Sequence, residues 1–182
     1  VRSSDMTREE LRSLVRTVPD FPIAGIQFRD ITTLIADSRG LASAVAHLAD
    51  LASPDVAAVA GIEARGFIFG AALAMQLGTG FIPVRKAGKL PVETISEDYA
   101  LEYGAATIEI DPTLVPQGGR VLLVDDLIAT GGTALAAASL LRRAGGLVDT
   151  ALFVIDLPEL GGAAALRSAG VAADAVMEFA GH

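Results

Sequence analysis

At 182 residues the chain is long enough to bury one sizeable core, and a single domain over 1–182 is the expectation. Zero cysteines exclude disulfides and thiolate chemistry, and a net charge of -8 removes the basic footprint that nonspecific nucleic-acid binding needs. The apolar 52% falls in runs too short to span a bilayer, and no signal-peptide h-region precedes the early Arg and Glu, so a cytoplasmic protein without membrane or nucleic-acid partners is expected.

Thr7-Arg8-Glu9-Glu10 has the form of a capping box, and Leu11, Leu14, Val15 and Val18 follow at helical spacing. Pro19 and Pro22 should end this amphipathic helix. The run Pro19–Thr33 carries Phe21, Phe28 and Gly25 among its prolines and reads as an irregular loop, packed by its own aromatics or offering Phe28 as a flat surface for a planar ligand. Leu41, Val45, Leu48 and Leu51 mark a second helix, with His47 an ordinary member of it. Val56–Ile62 reads as the first core strand. It ends in Glu63 and Arg65, either a structural ion pair or ligand contacts at a strand's carboxyl end, and a helix then runs to about Leu77. A strand at Phe81–Val84 leads into Arg85, Lys86 and Lys89, three cations in five residues on an acidic protein and so a concentrated anion site. Leu90–Ala100 is polar and lacks a core pattern, as lid loops do. Leu101–Tyr103 and Thr107–Ile110 alternate around Gly104 as a hairpin.

The stretch Val121–Thr133 (VLLVDDLIATGGT) concentrates the chemistry. Val121–Val124 form an unbroken apolar run, the pattern of a strand buried on both faces, with Asp125 and Asp126 at its carboxyl end. Ala129, Thr130, Gly131, Gly132 and Thr133 then lead into the Ala-rich helix Ala134–Ala144, whose free N-terminal amides make a phosphate cradle. Carboxylates that accept from hydroxyls, beside amides that donate to phosphate, suit a phosphorylated sugar. No G-x-x-x-x-G-K-[ST] and no G-x-G-x-x-G after a strand is present, which removes the main support for nucleoside triphosphate or dinucleotide binding. Leu147–Ile155 is the last main strand, followed by Asp156, Leu157 and a short helix opened by Gly161 and Gly162; Ala175–Phe179 is an edge strand. Strands alternating with helices from Val56 to Ile155 imply a parallel sheet with right-handed crossovers.

The segments PDFPIAGIQFRDIT, GIEARGFIFG, VRKAGKLP, LEYG and VDDLIATGGT together resemble the adenine branch of the type I phosphoribosyltransferases, over nearly the whole chain. The resemblance implies an α/β fold with a parallel central sheet flanked by helices, a small hood and a flexible lid loop. It implies a substrate pair, adenine and 5-phosphoribosyl 1-pyrophosphate (PRPP), and a homodimer. It assigns Ala129–Thr133 to the 5-phosphate, Asp125 and Asp126 to the ribose hydroxyls, and Arg65, Arg85, Lys86 and Lys89 to pyrophosphate. Mg²⁺ is implied as cofactor, held mainly by PRPP and water rather than by protein ligands. Adenine would stack between Phe28 and Leu157, its edge read by main-chain groups near Gln27 and Arg65, with Glu102 as proton partner and therefore a catalytic residue beside Asp125 and Asp126.

Overall fold

The computed structural model describes residues 5–100 and 104–181. Helix α1 (Arg8–Leu14) opens with the expected capping box: Thr7 Oγ1 accepts from the Glu10 amide, and the Glu10 carboxylate accepts from the Thr7 amide. It stops at Leu14, earlier than the apolar spacing suggests, because Val15 is already extended. β-branched Thr17 and Val18 favour the strand that follows. That strand, β1 (Arg16–Pro19), pairs antiparallel with β2 (Gln27–Asp30), so the run read as an irregular loop is in part a two-stranded hood with Val18 opposite Phe28. Helices α2 (Thr32–Ala36) and α3 (Ser38–Leu51) follow, the second capped by the Asp37 carboxylate on the Gly40 amide. His47 is indeed an ordinary helix residue, buried and hydrogen-bonded through Nε2 to the Met6 carbonyl at 2.8 Å.

Seven strands make the central sheet: β3 (Ala58–Ile62), β4 (Gly80–Lys86), β5 (Ile95–Ala100), β6 (Ala105–Ile110), β7 (Val121–Ile128), β8 (Thr150–Asp156) and β9 (Ala172–Glu178). Their spatial order is β5-β6-β4-β3-β7-β8-β9; β4, β3, β7, β8 and β9 run parallel, while β6 is antiparallel to both β4 and β5. The crossovers carry α4 (Arg65–Leu77), α5 (Gly132–Arg143) and α6 (Gly162–Ser168). Two cores result. On one face Leu48, Phe69 and Leu73 cover Leu122, Val124, Leu152 and Val154; on the other Ala137, Leu140, Leu141 and Leu166 cover Leu123, Ile110 and Phe153. Each fully buried Leu or Phe contributes about 1.5–3 kcal/mol, so the centre of the sheet is the rigid part of the molecule. No helix among the described residues is long and apolar enough to cross a membrane.

The flexible lid read at Leu90–Ala100 is corrected in its second half. Ile95–Ala100 is an edge strand, paired along its length with β6 from Ile95 opposite Ile110 to Ala100 opposite Ala105. Ile95, Glu97 and Tyr99 are half-buried while Ser96, Asp98 and Ala100 are exposed, and one-sided burial on an edge shows no continuous apolar run. Arg143 of α5 fastens the strand, donating to Glu97 at 2.6 Å and to the Ser96 carbonyl at 2.9 Å. The arm read at Leu101–Tyr103 lies outside the described residues, while β5 and β6 are paired as far as Ala100 opposite Ala105. The strand expected at Leu147–Ile155 begins at Thr150, Leu147 making only an isolated bridge to Arg120.

Candidate active site

The parallel strands bring four chemically loaded turns to one end of the sheet: Glu63–Arg65 after β3, Arg85–Lys89 at the end of β4, the Ala129–Thr133 loop after β7, and Leu157 after β8. The crevice beyond the carboxyl ends of such strands is where open α/β sheets bind ligands. Strand β7 continues to Ile128, so Asp125 and Asp126 lie inside it rather than beyond its end.

A cavity of about 130 Å³ is lined by Asp125, Phe153 and the whole loop Ala129–Thr133. Its floor is the start of α5, where Gly131 is the N-cap and no side chain caps the first amides, leaving them for an anion. Gly131 has φ +84°, and a Cβ there would stand 2.9 Å from the Gly162 Cα and 3.0 Å from its carbonyl oxygen. No other residue fits that backbone without displacing the neighbouring loop. The two loops are also joined by hydrogen bonds, Gly162 amide to Ala129 carbonyl at 2.9 Å and Leu157 amide to Ile128 carbonyl at 3.0 Å. Those bonds hold Leu157 beside the Ala129–Thr133 loop.

A second cavity, about 720 Å³, shares Ala129, Thr130, Gly132 and Thr133 with the first. It extends to Gln27, Phe28 and Arg29 of the hood, to Arg65, to Tyr99 and Ala100 of β5, and to Leu157 and Leu160. Phe28 is braced edge-on by Phe21, ring centroids 5.1 Å apart. Its lining thus combines Ala129, Thr130, Gly132 and Thr133 with the apolar side chains of Phe28 and Leu157.

The charges are arranged differently from the sequence reading. Glu63 and Arg65 do not pair with each other. Arg65 Nε lies 2.5 Å from Asp126 Oδ2, whose side chain is only 8% exposed, whereas Glu63 Oε2 accepts from the Lys86 amide at 2.9 Å and from Arg85 Nε at 3.3 Å. The reason is direction: α4 begins at Arg65 and swings it toward β7, while Glu63 still belongs to the β3–β4 edge, its own amide donating to the Val84 carbonyl. Burial, then the negative charge of Asp126, hold the Asp125 carboxyl well above the ordinary carboxylate range. Burial works against the Glu63 charge too, but the Lys86 amide and Arg85 leave its carboxyl lowered. The Glu63–Ala64 peptide between strand and helix is cis.

Of the residues expected at the site, Asp125, Ala129, Thr130, Gly131, Gly132, Thr133, Gln27, Phe28, Arg65 and Leu157 line one or both cavities, and Asp126 reaches them through Arg65. Arg85, Lys86 and Lys89 line neither; they occupy the same end of the sheet, with Arg85 held by Glu63 and by the Lys89 carbonyl at 3.2 Å. Glu102 lies outside the described residues. Three participants were missed: Arg29 and Tyr99 in the cavity wall, and Glu109, which binds the basic turn from below. Glu109 had a signal, an acidic residue between Ile108 and Ile110, and those three residues form the buried end of β6. Among the described residues no group of three or more His, Cys, Asp or Glu converges as a metal cage.

A sequence profile of the phosphoribosyl transferase domain matches residues 27–161. The chain is 65% identical, over 97% of its length and 100% of the relative's, to an adenine phosphoribosyltransferase of Novosphingobium aromaticivorans. The solved adenine phosphoribosyltransferase of Thermoanaerobacter pseudethanolicus superimposes with a TM-score of 0.89 at 44% identity, covering 95% of this chain and 100% of that one. The Saccharomyces cerevisiae enzyme, solved with adenine and an imino-altritol bisphosphate, gives a TM-score of 0.85 at 34% identity, over 93% and 98% of the two chains. Matched by the domain profile over residues 27–161 and alike to these enzymes in sequence and fold over almost its full length, the chain belongs to the adenine phosphoribosyltransferase family.

Proposed function

We propose that this chain transfers the 5-phosphoribosyl group of PRPP to N9 of adenine, giving AMP and pyrophosphate, a purine-salvage reaction. The observation that carries the reading is a pair of cavities that share Ala129, Thr130, Gly132 and Thr133, one lined also by Asp125 and the other by Phe28 and Leu157. In this reading the 5-phosphate takes the α5 amides, the ribose lies beside Asp125, and its C1 faces Phe28 and Leu157. As the N9–C1 bond forms, the C1–O bond to pyrophosphate breaks and its electron pair leaves with pyrophosphate; adenine gives up the N9 proton. The sugar is cationic in between, so carboxylates fixed beside it stabilise the transition state more than the substrate.

Asp125 and Asp126 are assigned the ribose hydroxyls, and Asp126 also orients Arg65 through their ion pair. Arg65 is further assigned to pyrophosphate together with Arg85, Lys86 and Lys89. Phe28 and Leu157 sandwich the purine, main-chain groups near Gln27 and Arg65 read its edge, and Glu102 exchanges the purine proton. Among the described residues no third acidic or His ligand converges on the two adjacent aspartates, a donor set that would suit Mg²⁺ carried mainly by PRPP and water. Mg²⁺ bound there would supply positive charge against the departing pyrophosphate.

The Leu90–Thr94 turn and the β5–β6 hairpin act as the cover of the site, a reading supported by Tyr99 and Ala100 in the cavity wall beside Gly132. Excluding water there protects the cationic sugar from hydrolysis. A cytoplasmic homodimer completes the proposal, supported by exposed Ile68 and Met75 on α4, the latter 84% exposed.

The test is pyrophosphate release from PRPP and Mg²⁺ with adenine, hypoxanthine, guanine, xanthine and orotate. Adenine is expected to be used far better than any 6-oxopurine, because the wrong base leaves buried hydrogen-bonding groups unpaired. Hypoxanthine turnover equal to adenine turnover sinks the assignment.

A further inference from the structure

The basic turn has no ladder of its own. Strand β4 pairs with β6 only at Arg85 opposite Glu109 and Lys86 opposite Ile108, and the Ala87 amide makes a last bond to the Thr107 carbonyl at 3.0 Å. Beyond it the chain reverses at Gly88, φ +80°, and the next amides face inward with no strand opposite them. Glu109 supplies what is missing. Its Oε1 accepts from the Lys89 amide and from the Leu90 amide, each at 3.0 Å, and its Oε2 accepts from Thr94 Oγ1 at 3.3 Å. The residue is only 6% exposed, so this is a buried carboxylate whose bonds all run to the turn and the segment after it. On the outer side Glu63 grips the same turn through the Lys86 amide and Arg85. Between the two carboxylates the backbone from Lys86 to Leu90 is fixed while the side chains of Lys86 and Lys89 remain exposed.

We propose that Glu109 is a positioning residue for pyrophosphate: it touches neither substrate, and it holds the Lys86–Lys89 turn in the shape that presents its ammonium groups to the PRPP pyrophosphate. The inference rests on the assignment of that turn to pyrophosphate and adds the residue on which the assignment depends. A buried acid beneath a cationic anion site would weaken it if left unbound, through charge cancellation. Here the charge is taken up by backbone amides: burial opposes ionisation, but the Leu90, Gly88 and Lys89 amides and the Thr94 hydroxyl leave the carboxyl lowered. The bonds of Glu109 thus run to main-chain amides and the Thr94 hydroxyl rather than to the ammonium groups of Lys86 and Lys89. Preorganisation of this kind tightens binding by removing the ordering that the ligand would otherwise have to impose.

The experiment compares Glu109→Ala, Glu109→Gln and Glu109→Asp with the parent chain. Steady-state kinetics vary PRPP and adenine separately, and amide exchange is followed at Lys89 and Leu90. Glu109→Ala is expected to raise KM for PRPP about tenfold, with KM for adenine within about twofold and kcat within about threefold, because uniform binding is lost rather than transition-state stabilisation. Exchange at Lys89 and Leu90 should become fast. Glu109→Gln keeps a carbonyl oxygen able to accept from both amides and should restore both readouts. If Glu109→Ala does not accumulate folded, Glu109→Asp carries the test: its carboxylate, one methylene shorter, cannot reach both amides, and KM for PRPP should again rise. An unchanged KM for PRPP in the folded variants overturns the proposal, as does a loss confined to kcat. Binding of inorganic pyrophosphate by calorimetry separates this inference from the catalytic reading. A parent chain that binds pyrophosphate without adenine turnover, with about tenfold weaker binding in Glu109→Ala, refutes the reaction while supporting the positioning role.

Discussion

Replacing Asp126 by asparagine separates catalysis from stability at a single atom. The Asp126 side chain is 8% exposed and its Oδ2 lies 2.5 Å from Arg65 Nε, while the Arg65 side chain is 49% exposed. Asparagine keeps an oxygen in reach of Arg65, so the bond survives in neutral form and only the charge-assisted part is lost. Hydrogen bonds to charged groups are worth about 1.5–3 kcal/mol against about 1 for neutral ones. Half of Arg65 is in water, which screens the difference down to roughly 0.5–1 kcal/mol. For a chain of this length that is a fall in Tm of about 1–4 °C. The catalytic loss should be much larger. Removing one fixed group aimed at developing charge costs about 10²–10³ in kcat, or roughly 2.7–4 kcal/mol. The variant should therefore melt almost normally and turn over at about a hundredth of the parent rate or less. Steady-state kinetics beside a thermal melt read both. A kcat within about threefold of the parent, with the Tm lowered, would show that Asp126 only anchors Arg65 and would refute the role given to its charge.

Three further outcomes are expected. Asp30 closes the hood onto α2 by accepting from the Thr32 hydroxyl at 2.6 Å and amide at 2.9 Å and from Arg16 at 2.5 Å, bonds that lower its carboxyl from 3.8 to about 2. Because the folded value is the lower one, this stabilisation is present above pH 4 and lost as pH falls toward 2, and Asp30→Asn should flatten that limb of the urea stability profile by on the order of 1–2 kcal/mol; an unchanged acid limb contradicts it. Glutamate-specific proteolysis should cut at Glu93 in the free protein and more slowly with Mg²⁺–PRPP, while Glu97, paired within β5 and bonded to Arg143, resists in both; equal rates at Glu93 with and without ligand remove the cover from the mechanism. Sedimentation at micromolar concentration should give twice the 18.7 kDa chain mass, and an exclusively 18.7 kDa species would reject the homodimer.

Several elements were legible because their signal is local. The capping box at Thr7 needs only residues three apart, and the buried run Val121–Val124 needs only its own composition. The segment proposed for phosphate is also contiguous, a strand, a turn with two glycines and a helix start, and its five residues line one cavity. The misreadings are all non-local. Leu90–Ala100 looked like an open loop because an edge strand shows half a pattern, and its partner β6 lies beyond a turn. Val18 keeps helical phase with Leu11 and Leu14, yet its pairing with Phe28 across the hood outweighs a register that a short helix cannot enforce.

Residue order alone determined the α/β class, the family, the strand–turn–helix segment Val121–Thr133, and the acidic character of the chain. These follow from periodicity and from contiguous motifs, whose geometry is set within about a dozen residues. The tertiary structure alone decided which charges meet. Glu63 and Arg65, two residues apart, diverge to Arg85 and Asp126, and Glu109 reaches amides nineteen and twenty positions back in the chain. Ion pairs and buried hydrogen bonds fall off within a few ångströms, so their partners depend on strand order and register across the sheet, which no local stretch of sequence contains.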